Sequence, residues 1–180
     1  QYVSQFPLVN SIITPRFLPS CTPKMLQTMG EIAQAYNLPV QSHLSENKKE
    51  IQWVRELEPQ STCYGDAYNR YGLFGQTPTL MAHCCYSDGE ELQLLRDNGV
   101  YVVHCPTSNC NLASGIAPIR RFLQAGIPVV LGSDIAAGHH LSIFRVMQYA
   151  VQMSKLQYAL TDGKSPFLTL SEVFYMATKA

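Results

Sequence analysis

Five short apolar runs punctuate the chain: LVNSIITP (8–15), LPVQSHL (38–44), PTLMAHC (78–84), VYVVHC (100–105) and IPVVLGSD (127–134). Each is too continuous for a strand with one face in water, so each predicts a strand covered on both sides. Helical spacing fills the intervals. TPKMLQTMGEIAQAYN follows a Thr22 cap with Pro23 in the first turn, and NKKEIQWVRELE, SDGEELQLLRDNG and IAPIRRFLQAG carry helical patterns too. Gly99 and Gly126 stand where helices close before the next strand, a place that favours glycine because the backbone turns left-handed there. The segment 59–77, with TCYGDAYNRYGLFG, is a longer insertion expected to hold a short helix and a loop that helps cover a site.

Alternation of this kind implies parallel strands joined by right-handed crossovers, with helices covering the sheet. An open nucleotide-binding sheet carries GxGxxG in its first strand-to-helix turn, and no such stretch occurs. The expected fold class is therefore α/β, a TIM-like (β/α)8 barrel, but a partial one. About five strands do not close a barrel, and complete ones take about 250 residues against 180 here. The chain begins at Gln1, and LSEVFYMATKA still reads as a helix where the sequence stops. The expectation is a single catalytic barrel domain over residues 1–180, cut at both ends.

In parallel α/β architectures the carboxyl ends of the strands gather at one face, and their side chains converge on one pocket. The ends here carry Arg16, His43, Glu46, His83, His104 and Asp134. Two imidazoles and a carboxylate meeting this way suit a zinc-type site with an open position for water. Glu46, one turn beyond His43, is placed to move a proton to a substrate atom. Each residue also has a structural reading. Glu46 reads equally as a first-turn acid of a helix capped by Ser45 or Asn47, Asp134 as a helix cap, and His104 as the anchor of the loop CPTSNCNLASG. His139 and His140 read as solvated loop residues.

Thirteen basic and thirteen acidic residues cancel, so nothing in the charge balance draws nucleic acid or an anionic membrane, and a small neutral ligand is expected. No apolar run approaches the roughly 18 residues of a membrane span. The six cysteines form no CxxC pair or regular framework, which predicts reduced thiols and a cytoplasmic protein, with Cys84, Cys85, Cys105 and Cys110 expected to be buried as small apolar residues.

With these residues in view, the chain resembles the amidohydrolase superfamily of metal-dependent hydrolases on a distorted (β/α)8 barrel. SHLSE (42–46) resembles that family's fifth-strand His with its HxxE acid, MAHC (81–84) the sixth-strand His, and LGSDIAAG (131–138) the eighth-strand Asp. The long stretch HCPTSNCNLASGIAPIRRFLQAGIPVVLGSD (104–134) is similar throughout to the deaminase branch, and ITPRF (13–17) to the segment with which members acting on guanine hold the purine. The resemblance implies strands four to eight of the barrel and hydrolysis of guanine to xanthine and ammonia. It implies one zinc ion, or iron, held by His43 and Asp134, with catalysis by Glu46, His83 and Asp134. Substrate contacts would come from Arg16, Phe17, His43, Glu46 and Asp134, and the full-length enzyme would be a homodimer. The family's HxH pair, two further metal ligands, has no counterpart in this sequence. Two other readings stand beside this one: a relative acting on a different heterocycle, and a non-catalytic scaffold of the same fold.

Overall fold

The computed structural model describes residues 8–180, so the first seven residues of the expected domain lie outside it. Strands β1 (Val40–Leu44), β2 (Thr79–His83), β3 (Tyr101–His104) and β4 (Val129–Leu131) form one parallel sheet. Each strand lies beside its predecessor in sequence, in the order β1-β2-β3-β4. That is the winding of a barrel wall; a doubly wound sheet reverses its order at a switch point. The helices are α1 (Pro23–Tyr36), α2 (Lys48–Leu57), α3 (Tyr64–Arg70), α4 (Gly89–Asp97), α5 (Pro106–Asn111), α6 (Ile119–Gln124), α7 (Ile143–Leu160) and α8 (Leu170–Thr178).

Alternation along the strands separates two faces. Val40 and Leu44 of β1, Met81 of β2, Val102 of β3 and Val129 of β4 are buried in one core with Leu26, Val54, Tyr68, Leu95, Phe122 and Val173 of the helices. The opposite parity, Gln41 and His43 with Leu80, Ala82 and Val103, lines a concave face enclosing about 210 Å³. The local signals work as expected from their chemistry. Thr22 accepts the Met25 N–H to open α1, and Asn47, not Ser45, caps α2 by accepting from Glu50 N–H at 3.0 Å. Gly99 and Gly126 close α4 and α6 at φ of 60° and 75°. The insertion after α2 does contain a short helix, α3.

Two expected elements differ. The run 8–15 is not a fifth strand: only Ile13 bridges to Val40, donating its N–H to the Pro39 carbonyl and accepting from Gln41 N–H. The next rung would need an N–H at position 15, and Pro15 has none. The stretch after His104 is not simply a loop, because Pro106–Asn111 forms α5, with Pro106 preset for a first turn. Helix α7 fills a region to which the sequence reading assigned nothing. Its apolar residues surround the axis, with Val146 and Ala150 buried but Phe144, Leu156 and Leu160 exposed, so no stripe betrays it.

All six cysteines are free. Cys84, Cys85 and Cys105 are buried as expected, whereas Cys110 is exposed, and no helix of the described residues is long and apolar enough to cross a membrane. The outer layer is tied by Arg120, which donates from both terminal nitrogens to Glu172 at 2.7 and 3.0 Å. The Arg120 hydrogen bonds hold the Glu172 carboxyl at about 2, below its ordinary 4.5. A depressed acid stabilises the fold above its unfolded value and loses that contribution as pH falls through the folded one. Glu172→Gln should therefore cost about 1 kcal/mol at neutral pH, solvent screening of this partly buried pair included. In urea titrations of the full-length protein, the difference from wild type should shrink as pH drops from 4.5 toward about 2.

Candidate active site

The backbone turns left-handed at non-glycine residues where three strands end: Ser45 after β1, His83 and Cys84 at the end of β2, and Asp134 after β4, with φ between 46° and 74°. Such conformations cost about 1 kcal/mol or more each and persist where surrounding contacts hold them. The bend at His83 has a visible effect. His43 pairs in register with Ala82, so a regular β2 would put His83 on the opposite face. Instead the imidazoles of His43 and His83 lie with centroids 5.0 Å apart.

His83 is the centre of the group. Its Nδ1 is 2.8 Å from Asn109 Oδ1 and 4.0 Å from Glu46 Oε1, and its Nε2 is 4.0 Å from Asp134 Oδ2. The four residues that the sequence scatters over β1, α2's approach, β2 and β4 thus meet at one end of the sheet. His43 Nδ1 lies 2.6 Å from the Arg16 carbonyl. A carbonyl only accepts, so Nδ1 carries the proton and Nε2 keeps its lone pair. Burial chiefly, and the neighbouring His83 next, lower the His43 pKa below 6.5, which favours the neutral ring. With Asn109 Oδ1 as acceptor, His83 likewise leaves the lone pair on Nε2, and that atom is buried without a hydrogen-bond partner among the described residues.

Glu46 Oε1 accepts from Ser114 Oγ at 2.7 Å. Glu46 precedes the cap Asn47, so it is not a first-turn acid of α2, and Asp134 lies well before Ser142, the N-cap of α7. Both structural alternatives for these carboxylates therefore fail. A second cavity of about 300 Å³ opens beside His43 and Glu46, lined also by Arg16, Phe17, Glu50 and Trp53. The segment that carries Arg16 and Phe17 is pinned to the strand by Ser42, whose Oγ donates to the Pro15 carbonyl and accepts from the Tyr68 hydroxyl.

Other expected residues stay apart. His104 lies on the far side of the sheet beside Ile119, Ala150 and Leu168, where burial holds its pKa near 3. Its Nδ1 finds no hydrogen-bond partner among the described residues with which to anchor the following segment. His139 is exposed but not merely solvated, since its Nδ1 meets Asn111 and its Nε2 meets Tyr149. Cys84 donates to the Met81 carbonyl, and burial pushes its thiol well up, so it is no nucleophile for His83. Asn109, Ser114 and Trp53 escaped the sequence reading. The first two follow the end of β3, where the strand-end criterion could have found them, and Trp53 lies seven residues after Glu46 on the helix that follows β1.

Among the described residues no group of three or more His, Cys, Asp or Glu side chains is arranged to hold a metal ion. His43 and Asp134 offer two of the donors that zinc accepts. The model of the Amidohydrolase family matches residues 4–180. A probable guanine deaminase of Schizosaccharomyces pombe is 45% identical over 174 residues, covering 96% of this chain and 32% of the relative. The crystal structure of a guanine deaminase from C. acetobutylicum with guanine bound in its active site superposes with a TM-score of 0.92 at 55% identity, over 93% of this chain and 40% of that one. An adenosine deaminase from Xanthomonas campestris with bound zinc, 23% identical, shares the fold with a TM-score of 0.79 over 91% of this chain and 37% of its own. The chain thus spans about a third to two fifths of the proteins it matches.

Proposed function

Because the chain belongs to the amidohydrolase family, we propose that it supplies the later barrel strands and part of the active site of an enzyme that hydrolyses guanine to xanthine and ammonia. The observation that carries this reading is the convergence of Glu46 and Asp134 on the two ring nitrogens of His83, each at 4.0 Å, with His43 beside them. The likeness to a structure that holds guanine supports the choice of base.

The donor set fits a metal as far as it extends. A ligating histidine usually gives its other ring N–H to a carbonyl or carboxylate, and His43 does so to Arg16, which leaves Nε2 free. His43 and Asp134 would hold zinc or iron, the remaining ligands coming from outside this chain. When bound, the ion would supply Lewis acidity that lets water give up a proton near neutral pH.

The residues of the chain then divide the work. Arg16 presents a forked donor to the carbonyl or ring nitrogen acceptors of the base, and Phe17 an apolar surface to its face. His83 orients the attacking water through Nε2. As the water oxygen bonds to the amino-bearing carbon, Asp134 takes the proton released, and Glu46 protonates the adjacent ring nitrogen, without which the aromatic ring resists addition. Glu46, left as a carboxylate, then takes the proton of the newly bound hydroxyl and passes it to the amino group, so that the carbonyl forms as the C–N bond breaks, ammonia leaves and xanthine remains; the proton held by Asp134 returns to Glu46 to reset the site. Full-length, zinc-loaded protein should release ammonia from guanine and not from cytosine, adenosine or a triazine. No ammonia from guanine sinks the reading; release from another member of the panel would move it to that heterocycle.

A further inference from the structure

We propose that Trp53 is a further substrate-binding residue, closing an aromatic slot with Phe17 over the fused rings of the base; this rests on the reading of the 300 Å³ cavity as the purine site. Helix α2 divides its side chains. Val54 turns into the core and Glu50 is buried at the cavity floor, whereas Trp53, one residue before Val54, is 47% exposed and lines the same cavity as Arg16, Phe17, His43 and Glu46. A large aromatic residue left half in water is poorly used for packing, and its position in a concave site beside polar groups is where ligands are held by ring faces. The contact with Phe17 is edge-on, with centroids 6.1 Å apart and planes at 71°. That arrangement leaves ring surface unused by the partner, so a flat base can lie against it.

The direction of the site gives Trp53 a role in selectivity. The groups that would act on the amino-bearing carbon cluster at Glu46, His83 and Asp134. A rise of about 1.5 Å per residue carries Trp53 along α2 away from that cluster, toward the end where the second ring of a bicyclic base would lie. A single-ring base fixed at the reacting end would gain less from it.

The test uses full-length, metal-loaded protein, with guanine turnover and equilibrium binding of xanthine as separate readouts. Base stacking on an aromatic side chain corresponds to roughly tenfold or more in affinity. Trp53→Ala should raise KM for guanine about tenfold and weaken xanthine binding in step, with kcat little changed. Trp53→Leu, which keeps the apolar bulk without the ring, should behave the same way, and Trp53→Phe should restore most of the loss. If both ring-less variants lower the melting temperature but leave KM and xanthine binding unmoved, Trp53 is only a packing residue and the inference is overturned while the guanine reading stands. If wild type releases no ammonia from guanine, the guanine reading fails and takes this inference with it.

Discussion

Glu46→Gln in the full-length enzyme should abolish ammonia release from guanine while metal content stays near normal. The exchange is nearly isosteric, and the amide oxygen of glutamine can still accept from Ser114 Oγ, which donates to Glu46 Oε1 at 2.7 Å. What disappears is the capacity to take up a proton and deliver it. A positioned acid–base group is worth about 10²–10⁴-fold, and two transfers depend on this one, so the loss should reach at least about 10³-fold in kcat. Xanthine binding should change far less, because Arg16, Phe17 and the cavity wall remain. Metal analysis is the decisive companion measurement: a variant that loses its ion with its activity would make Glu46 a ligand and overturn its assignment as the proton carrier. Ser114→Ala, which frees the carboxylate to swing, should show a milder loss in the same direction.

Apolar runs that end in His43, His83 and Asp134 announce a parallel sheet whose ends meet, because burial on both faces leaves only the strand termini for polar chemistry. The sequential strand order and the gathered side chains agree with that expectation. The limits are equally physical. Ile13 stands in an apolar run as convincing as the others, yet the ladder stops there because proline at position 15 offers no donor. Nothing in the letters MAHC tells that His83 takes φ of 74° and so joins the face of His43. Asn109 and Ser114, which orient His83 and Glu46, come from α5 and its exit, and a helix of six residues is too short for a periodic signal. Groups that act through another residue are set by three-dimensional neighbours, and helical or strand periodicity carries no trace of them.

Gly138→Ala should cripple the enzyme as well, by displacing Asp134 without touching it. After Asp134 the chain doubles back, with the Gly138 N–H donating to the Asp134 carbonyl at 2.6 Å and a bridge between Ile135 and Gly138. A Cβ added at Gly138 would fall 1.8 Å from the Ser133 carbonyl oxygen and 2.8 Å from Thr107 Oγ1. A hydroxyl can rotate away, but the carbonyl belongs to the peptide unit that leads into Asp134, so relief requires that residue to move. Overpacking of this kind costs about 1–3 kcal/mol in stability, which the fold should survive. Catalysis is less forgiving, because misplacement of a reacting group by about 1 Å costs on the order of 10²-fold. The expected result is a folded variant with circular dichroism like wild type, weaker metal retention and kcat/KM reduced at least about 100-fold. Activity within a few fold of wild type would show that the 134–138 turn does not set the position of Asp134.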